Sequence, residues 1–91
     1  MRLGQRIRKV GRVDSDSFKI ALTYEDGFRG TVDLSRFFSQ KKRKLIAEIL
    51  RGNMFDKCFL NGGALAWPNG YELCPDALRI MIEDAKRQAV A

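Results

Sequence analysis

Ser17-Phe18-Lys19-Ile20-Ala21-Leu22-Thr23-Tyr24-Glu25-Asp26-Gly27 is the stretch that decides the fold class of this 91-residue chain. Phe18, Ile20, Leu22 and Tyr24 alternate with Lys19, Ala21 and Thr23. Successive strand side chains point to opposite faces, so residues 17–24 predict a strand with one apolar, covered face and one mixed, partly wet face. Asp26-Gly27 then closes a hairpin, because glycine supplies the positive φ that a tight turn requires. Phe28, Gly30 and Val32 carry the inward face onto the return strand.

Upstream, residues 6–13 read as a strand rich in Arg and Val. Ile7 and Val13 share one parity and Val10 takes the other, with Gly11 between them marking a bulge. Asp14-Ser15-Asp16-Ser17 is a turn, since these side chains bond their own backbone. Downstream, Asp33 caps a helical turn at 34–38, and Ser39 caps a second helix with Leu45, Ile46, Ile49 and Leu50 on one face. Gly52 ends that helix in the left-handed position. Residues 55–60 form a fourth strand, Gly62-Gly63 a turn, 64–67 a fifth strand, Pro68-Asn69-Gly70 a turn, and Tyr71-Glu72-Leu73 a short extension. The last helix starts at Pro75, where a missing N–H costs nothing, with Asp76 in its first turn. Leu78, Met81, Ile82, Ala85 and Ala89 form its buried stripe, and Arg79–Glu83 and Glu83–Arg87 are pairs on its wet side. The expected architecture is α+β, one domain over 1–91. It has a small antiparallel sheet of hairpins, a short helical segment in the middle, and a C-terminal helix packed on one face.

Composition narrows the function classes. No apolar run approaches the ~20 residues that span a bilayer, and nothing apolar backs the N-terminal charges as in a secretory signal, so a cytoplasmic protein with no membrane partner is expected. There is no histidine, and the two cysteines, Cys58 and Cys74, read as small buried residues in a reducing compartment, too few for a zinc site. The serines have no recognisable activating partner. The acidic pairs Glu25-Asp26 and Glu83-Asp84 lie in a turn and on a solvated helix face, a poor arrangement for carboxylates flanking a substrate. No enzymatic role, cofactor or metal is expected.

Net charge is +6, and residues 1–44 hold 12 Lys and Arg against 5 Asp and Glu. The positive field of that half attracts nucleic acid, anionic lipid or an acidic protein. Arg6, Arg8 and Arg12 share one parity on the first strand, with Lys9 opposite, and Lys41-Lys42-Arg43-Lys44 is a basic run at a helix start. Together they could follow a phosphate backbone, or simply solvate a surface. The run opposes the helix dipole, a hint that it serves a purpose.

Trp67-Pro68-Asn69-Gly70, followed by Leu73, Pro75-Asp76 and Leu78, resembles the closing motif of a small bacterial domain-of-unknown-function family, numbered 2442. Leu22 to Gly27 ahead of Thr31-Val32-Asp33-Leu34, and Met54-Phe55, are similar to its earlier segments, so the resemblance covers residues 6–80. The resemblance implies a compact α+β fold with no assigned catalytic residues, and a gene beside a second small gene in arrangements like toxin–antitoxin pairs. Some relatives append a helix-turn-helix domain. This chain departs from them by stopping one helix after the motif, so sequence-specific reading of DNA by such a domain is not expected.

The motif residues Trp67, Pro68, Asn69, Gly70, Pro75 and Asp76 read mainly as a folding device, with a contact surface as the alternative. The expected function is a non-catalytic protein-interaction module, an antitoxin-like or regulatory partner of another small bacterial protein. The alternative is weak, sequence-indifferent nucleic-acid binding through the basic half. Arg6, Arg8 and Arg12 are the candidate partner-binding residues, on an exposed strand edge. Lys41, Lys42, Arg43 and Lys44 are the candidate nucleic-acid-binding residues. A homo-oligomer is compatible with either.

Overall fold

A computed structural model describes residues 3–40, 43–51 and 53–88. Its elements run β1 (Ile7–Asp14), β2 (Lys19–Tyr24), β3 (Arg29–Asp33), α1 (Ser35–Gln40), α2 (Lys44–Arg51), a 3₁₀ turn (Phe55–Lys57), β4 (Phe59–Asn61), β5 (Ala64–Ala66), β6 (Glu72–Leu73) and α3 (Pro75–Gln88). The α+β class and the antiparallel hairpins are as expected. The hairpins form two three-stranded sheets, β1-β2-β3 and β4-β5-β6. The sheets meet where the Ile7 N–H donates to the Gly63 carbonyl at 3.0 Å.

The broken alternation of β1 has a simple cause. Its residues pair Ile7 with Tyr24, Lys9 with Thr23, Val10 with Leu22, Val13 with Ile20 and Asp14 with Lys19. The register slips twice, between Ile7 and Lys9 and between Val10 and Val13. Each slip inserts one extra residue, so Ile7, Val10 and Val13, three apart in sequence, all pack on the core side. Gly11 sits in the second bulge, as expected. The first, at Arg8, has no glycine to announce it.

Several boundaries differ from expectation. Phe18 does not open β2: it lies in the preceding turn at φ 56°, and its ring meets Phe55 edge-on at 5.2 Å. The Asp33 carboxylate accepts the Ser35 N–H and hydroxyl, at 3.0 and 2.6 Å, and α1 runs from Ser35 to Gln40. Ser39 therefore caps nothing: it lies inside α1, and its hydroxyl donates to the Arg36 carbonyl. Leu50 is 39% exposed, because Ile46 and Ile49 alone fill the buried side of α2. The Gly52 cap lies outside the described residues. Residues 55–57 coil into a 3₁₀ turn that buries Phe55, which shortens the fourth strand to Phe59–Asn61. Cys58 is half-buried, its thiol pushed up by burial, and Cys74 is exposed, so neither is a fully buried core residue.

α3 packs against β3 on the inner face of the first sheet, where Leu78 and Ile82 are buried. Gly30 is required there, because a Cβ on it would lie 2.4 Å from Ile82 Cγ2. Met81 is half-buried, Ala85 is exposed beside the open cleft that α3 forms with α1, and Ala89 lies outside the described residues. Arg79 is the main correction. It is 6% exposed and pairs with Asp26 at 2.9 Å, rather than with Glu83 in water. The hairpin tip reaches over α3 and covers it: the Arg79 guanidinium lies 4.2 Å from the Phe28 ring centre, and the Tyr24 hydroxyl donates to the Pro75 carbonyl at 2.7 Å. Arg87 pairs with Asp84, not with Glu83.

Candidate interaction surface

The inner face of the β1-β2-β3 sheet is buried: Ile20, Leu22, Tyr24 and Val32 are all at or below 2% exposure. Its outer face is not. No residue that the register places there is buried.

That register turns the outer face into a grid of three rows across three strands. The first row is Lys9, Thr23 and Arg29. The second is Gly11 beside Ala21 and Thr31: Ala21 pairs with Thr31, and a Cβ on Gly11 would touch the Ala21 methyl at 3.3 Å. The third is Asp14, Lys19 and Asp33. Arg12, the extra residue of the second bulge, lines a shallow depression of about 270 Å³ with Asp14, Lys19, Ala21 and Thr31. The floor is therefore small side chains and the rim is charged. One end is positive, through Lys9 and Arg29. At the other end Asp14 and Asp33 flank Lys19, and Arg12 lies beside Asp14. The hydroxyl of Ser35 holds Asp33 below the usual carboxylate range, so that end stays charged near neutral pH.

The candidate partner-binding residues Arg6, Arg8 and Arg12 are all exposed, and β1 is an edge strand of its sheet. They do not form one row. Arg6 precedes the strand and lays its stem on Gly63, where a Cβ would come within 2.5 Å of Arg6 Cβ. Arg8 lies in the first bulge and Arg12 in the second. The edge is closed at Ile7 by the Gly63 carbonyl, so an added strand could pair only beyond it. Bulges and like charges are also what blunt an edge against strand addition. Sequence parity missed Lys9, Lys19, Arg29 and Thr31 as one surface. The mixed face of residues 19–23 was the available signal.

Of the candidate nucleic-acid-binding run, Lys41 and Lys42 lie outside the described residues. Arg43 and Lys44 are exposed at the start of α2. Lys44 and Arg51 also rim an open groove of about 500 Å³ with Ala47, Glu48, Met54 and Asn69. The cations of α2 and those of the sheet face sit on separate elements.

The motif residues hold the fold together. Trp67 is 1% exposed, packs on Phe38, Phe55 and Tyr71, and donates its indole N–H to the Phe55 carbonyl at 3.0 Å. Its N–H and C=O clamp the turn through Tyr71 O and Gly70 N, with Gly70 at φ 92° after Pro68. Asn69 is more than a turn residue. Its amide donates to the Leu45 carbonyl at 2.9 Å and to Glu48 at 3.3 Å, and its oxygen accepts the Tyr71 N–H, so it ties the turn to α2. Asp76 accepts the Gly4 N–H at 2.9 Å and fastens the N-terminal segment to α3. Among the described residues no group of three or more acidic or sulfur side chains could hold a metal ion, and no helix is long and apolar enough to cross a membrane.

Residues 10–80 match the family described as protein of unknown function (DUF2442), and the chain belongs to that family. No curated protein and no solved structure matches it.

Proposed function

We propose that this member of the family is a non-catalytic protein-interaction module of the bacterial cytosol, an antitoxin-like or regulatory partner of another small protein. The observation behind the reading is the uncovered outer face and bulged edge of the first sheet, which carry Arg6, Arg8, Lys9, Arg12, Lys19 and Arg29 on one small domain. A field of that kind accelerates encounter with an acidic protein and selects against basic ones. Absence of histidine leaves few groups able to move a proton near neutral pH, which supports binding over catalysis.

The test is co-expression with the product of the gene next to its own, followed by association kinetics at two salt concentrations. A complex is expected, with an on-rate that falls as salt rises. Arg6→Gln/Arg8→Gln/Arg12→Gln should slow association and flatten its salt dependence while leaving the melting temperature in place. An on-rate indifferent to both salt and the triple substitution would sink the electrostatic reading.

The second reading is sequence-indifferent nucleic-acid binding, favoured by exposed Lys44 and Arg51 on α2 and Arg43 just before it. It predicts duplex affinity that falls with salt at a slope near −0.9 per phosphate neutralised, flattened by Gln at 41–44. Absence of binding at low salt removes it.

A further inference from the structure

The grid on the outer face has dimensions and a charge order that together describe an occupant. Its three rows are two residues apart, so it is ~14 Å long, and its three strands make it ~10 Å wide. An α-helix is ~10–12 Å across, and nine of its residues span ~14 Å. The floor, Gly11, Ala21, Thr23 and Thr31, is short enough for such a cylinder to rest on, with the longer Lys9, Arg12, Lys19 and Arg29 standing around it. The inner face of the same sheet already takes a helix in this way, over the bare backbone of Gly30.

The charge order sets a direction. A helix carries partial positive charge at its N-terminus and partial negative charge at its C-terminus. We infer that the outer face of the first sheet docks one helix of the partner protein. The helix lies along the strands, its C-terminal turn bearing acidic side chains over Lys9 and Arg29 and its N-terminal turn toward Asp14 and Asp33. The inference rests on the protein-interaction reading and adds the surface, the element and its polarity.

Other occupants fit less well. A nucleic-acid strand is negative throughout and would have to run over Asp14 and Asp33. Every side chain of the grid is non-aromatic, so bases would find no stacking platform. Strand addition at β1 meets a closed start at Ile7 and two bulges.

The experiment uses the full chain, ¹⁵N-labelled, and two stapled helical peptides of identical composition with capped ends. One carries its glutamates in the last turn, the other in the first. The first peptide should bind about tenfold tighter, since two charge-assisted contacts and the dipole favour it. It should shift the amides of Lys9, Ala21, Thr23 and Thr31. Lys9→Glu/Arg29→Glu should weaken the first peptide and abolish the preference, with an otherwise unchanged spectrum showing that the fold is intact. Thr31→Trp should weaken both peptides by blocking the floor without altering charge.

Equal affinities, or no binding up to ~1 mM, would overturn the inference. So would shifts confined to α2 or to residues 6–8, or self-association of the chain through this face. If the neighbouring gene product still binds while the grid amides stay silent, docking on this face fails and the protein-interaction reading stands. If a duplex binds and no protein does, both fail.

Discussion

Arg79→Met should unfold much of this domain's stability reserve, although a wet helical arginine would be worth almost nothing. The side chains of Arg79 and Asp26 are each 7% exposed, 2.9 Å apart. At an effective dielectric of ~20 a unit pair at that distance is worth ~6 kcal/mol, set against the cost of desolvating both ions. Methionine fills similar volume and keeps a favourable contact with the Phe28 ring, so packing loss is small. What it cannot do is supply the positive charge that Arg79 sets against Asp26, and breaking one side of a buried pair costs ~3–5 kcal/mol. A domain of this size has ~5–13 kcal/mol in all. The melting temperature should therefore fall by at least ~12 °C in a calorimetric scan at neutral pH. Adding Asp26→Asn should recover most of the loss. The amide is neutral and its oxygen can still accept the Phe28 N–H, which Asp26 Oδ1 accepts at 3.2 Å. The double-mutant cycle should give a coupling above ~1.5 kcal/mol. If Arg79→Met costs under ~1 kcal/mol, or if the two substitutions are simply additive, the pair does not join the hairpin to α3 and this account of the core is wrong.

Asn69→Ala should cost ~1–3 kcal/mol and speed amide exchange throughout α2, because it strips the contacts to Leu45, Glu48 and Tyr71; unchanged exchange in α2 would refute the tie. Gly30→Ala should cost ~1–3 kcal/mol, because the Ile82 methyl it meets is on the stiff β-carbon, and Ile82→Ala in the same chain should relieve that part of the strain, so fully additive losses would show that the two never touch. Burial pushes the phenols of Tyr24 and Tyr71 above their ordinary range. Above the unfolded tyrosine value of ~10 the unfolded chain then holds fewer protons than the folded one, so stability should fall as pH rises through and beyond it, and phenolate absorbance should appear together with unfolding; free ionisation of both tyrosines in a folded chain would contradict this.

The strongest local signals came through intact. Alternation across residues 19–24 and Asp26-Gly27 place the β2–β3 hairpin, and paired glycines at 62 and 63, both at positive φ, place the β4–β5 hairpin. Pro75 and the spacing of Leu78 and Ile82 place α3. Where competing local choices are close, contacts elsewhere in the chain decide between them. Phe55, Phe59 and Leu60 favour a strand, yet Phe55 packs on Trp67 and Phe18 across the core and residues 55–57 coil instead. Ser39 is as good a cap as any serine, but it was already inside a helix that Asp33 had started.

Hairpins, turns and helix ends depend on residues a few positions apart, and those contacts are written in the sequence itself. The α+β class, the basic N-terminal half and the motif of Trp67 to Gly70 belong to that level. The cationic grid and the buried Arg79 do not. Lys9 joins the row of Thr23 and Arg29 because a one-residue bulge at Arg8 resets the parity of β1, and that bulge has no sequence mark. Arg79 has the spacing of a solvated pair with Glu83, and it is buried because a hairpin tip 53 residues away closes over it. In both cases the deciding partner is distant in the chain. Helical or strand periodicity can say which side of an element a residue occupies, but not what the rest of the protein will lay against that side.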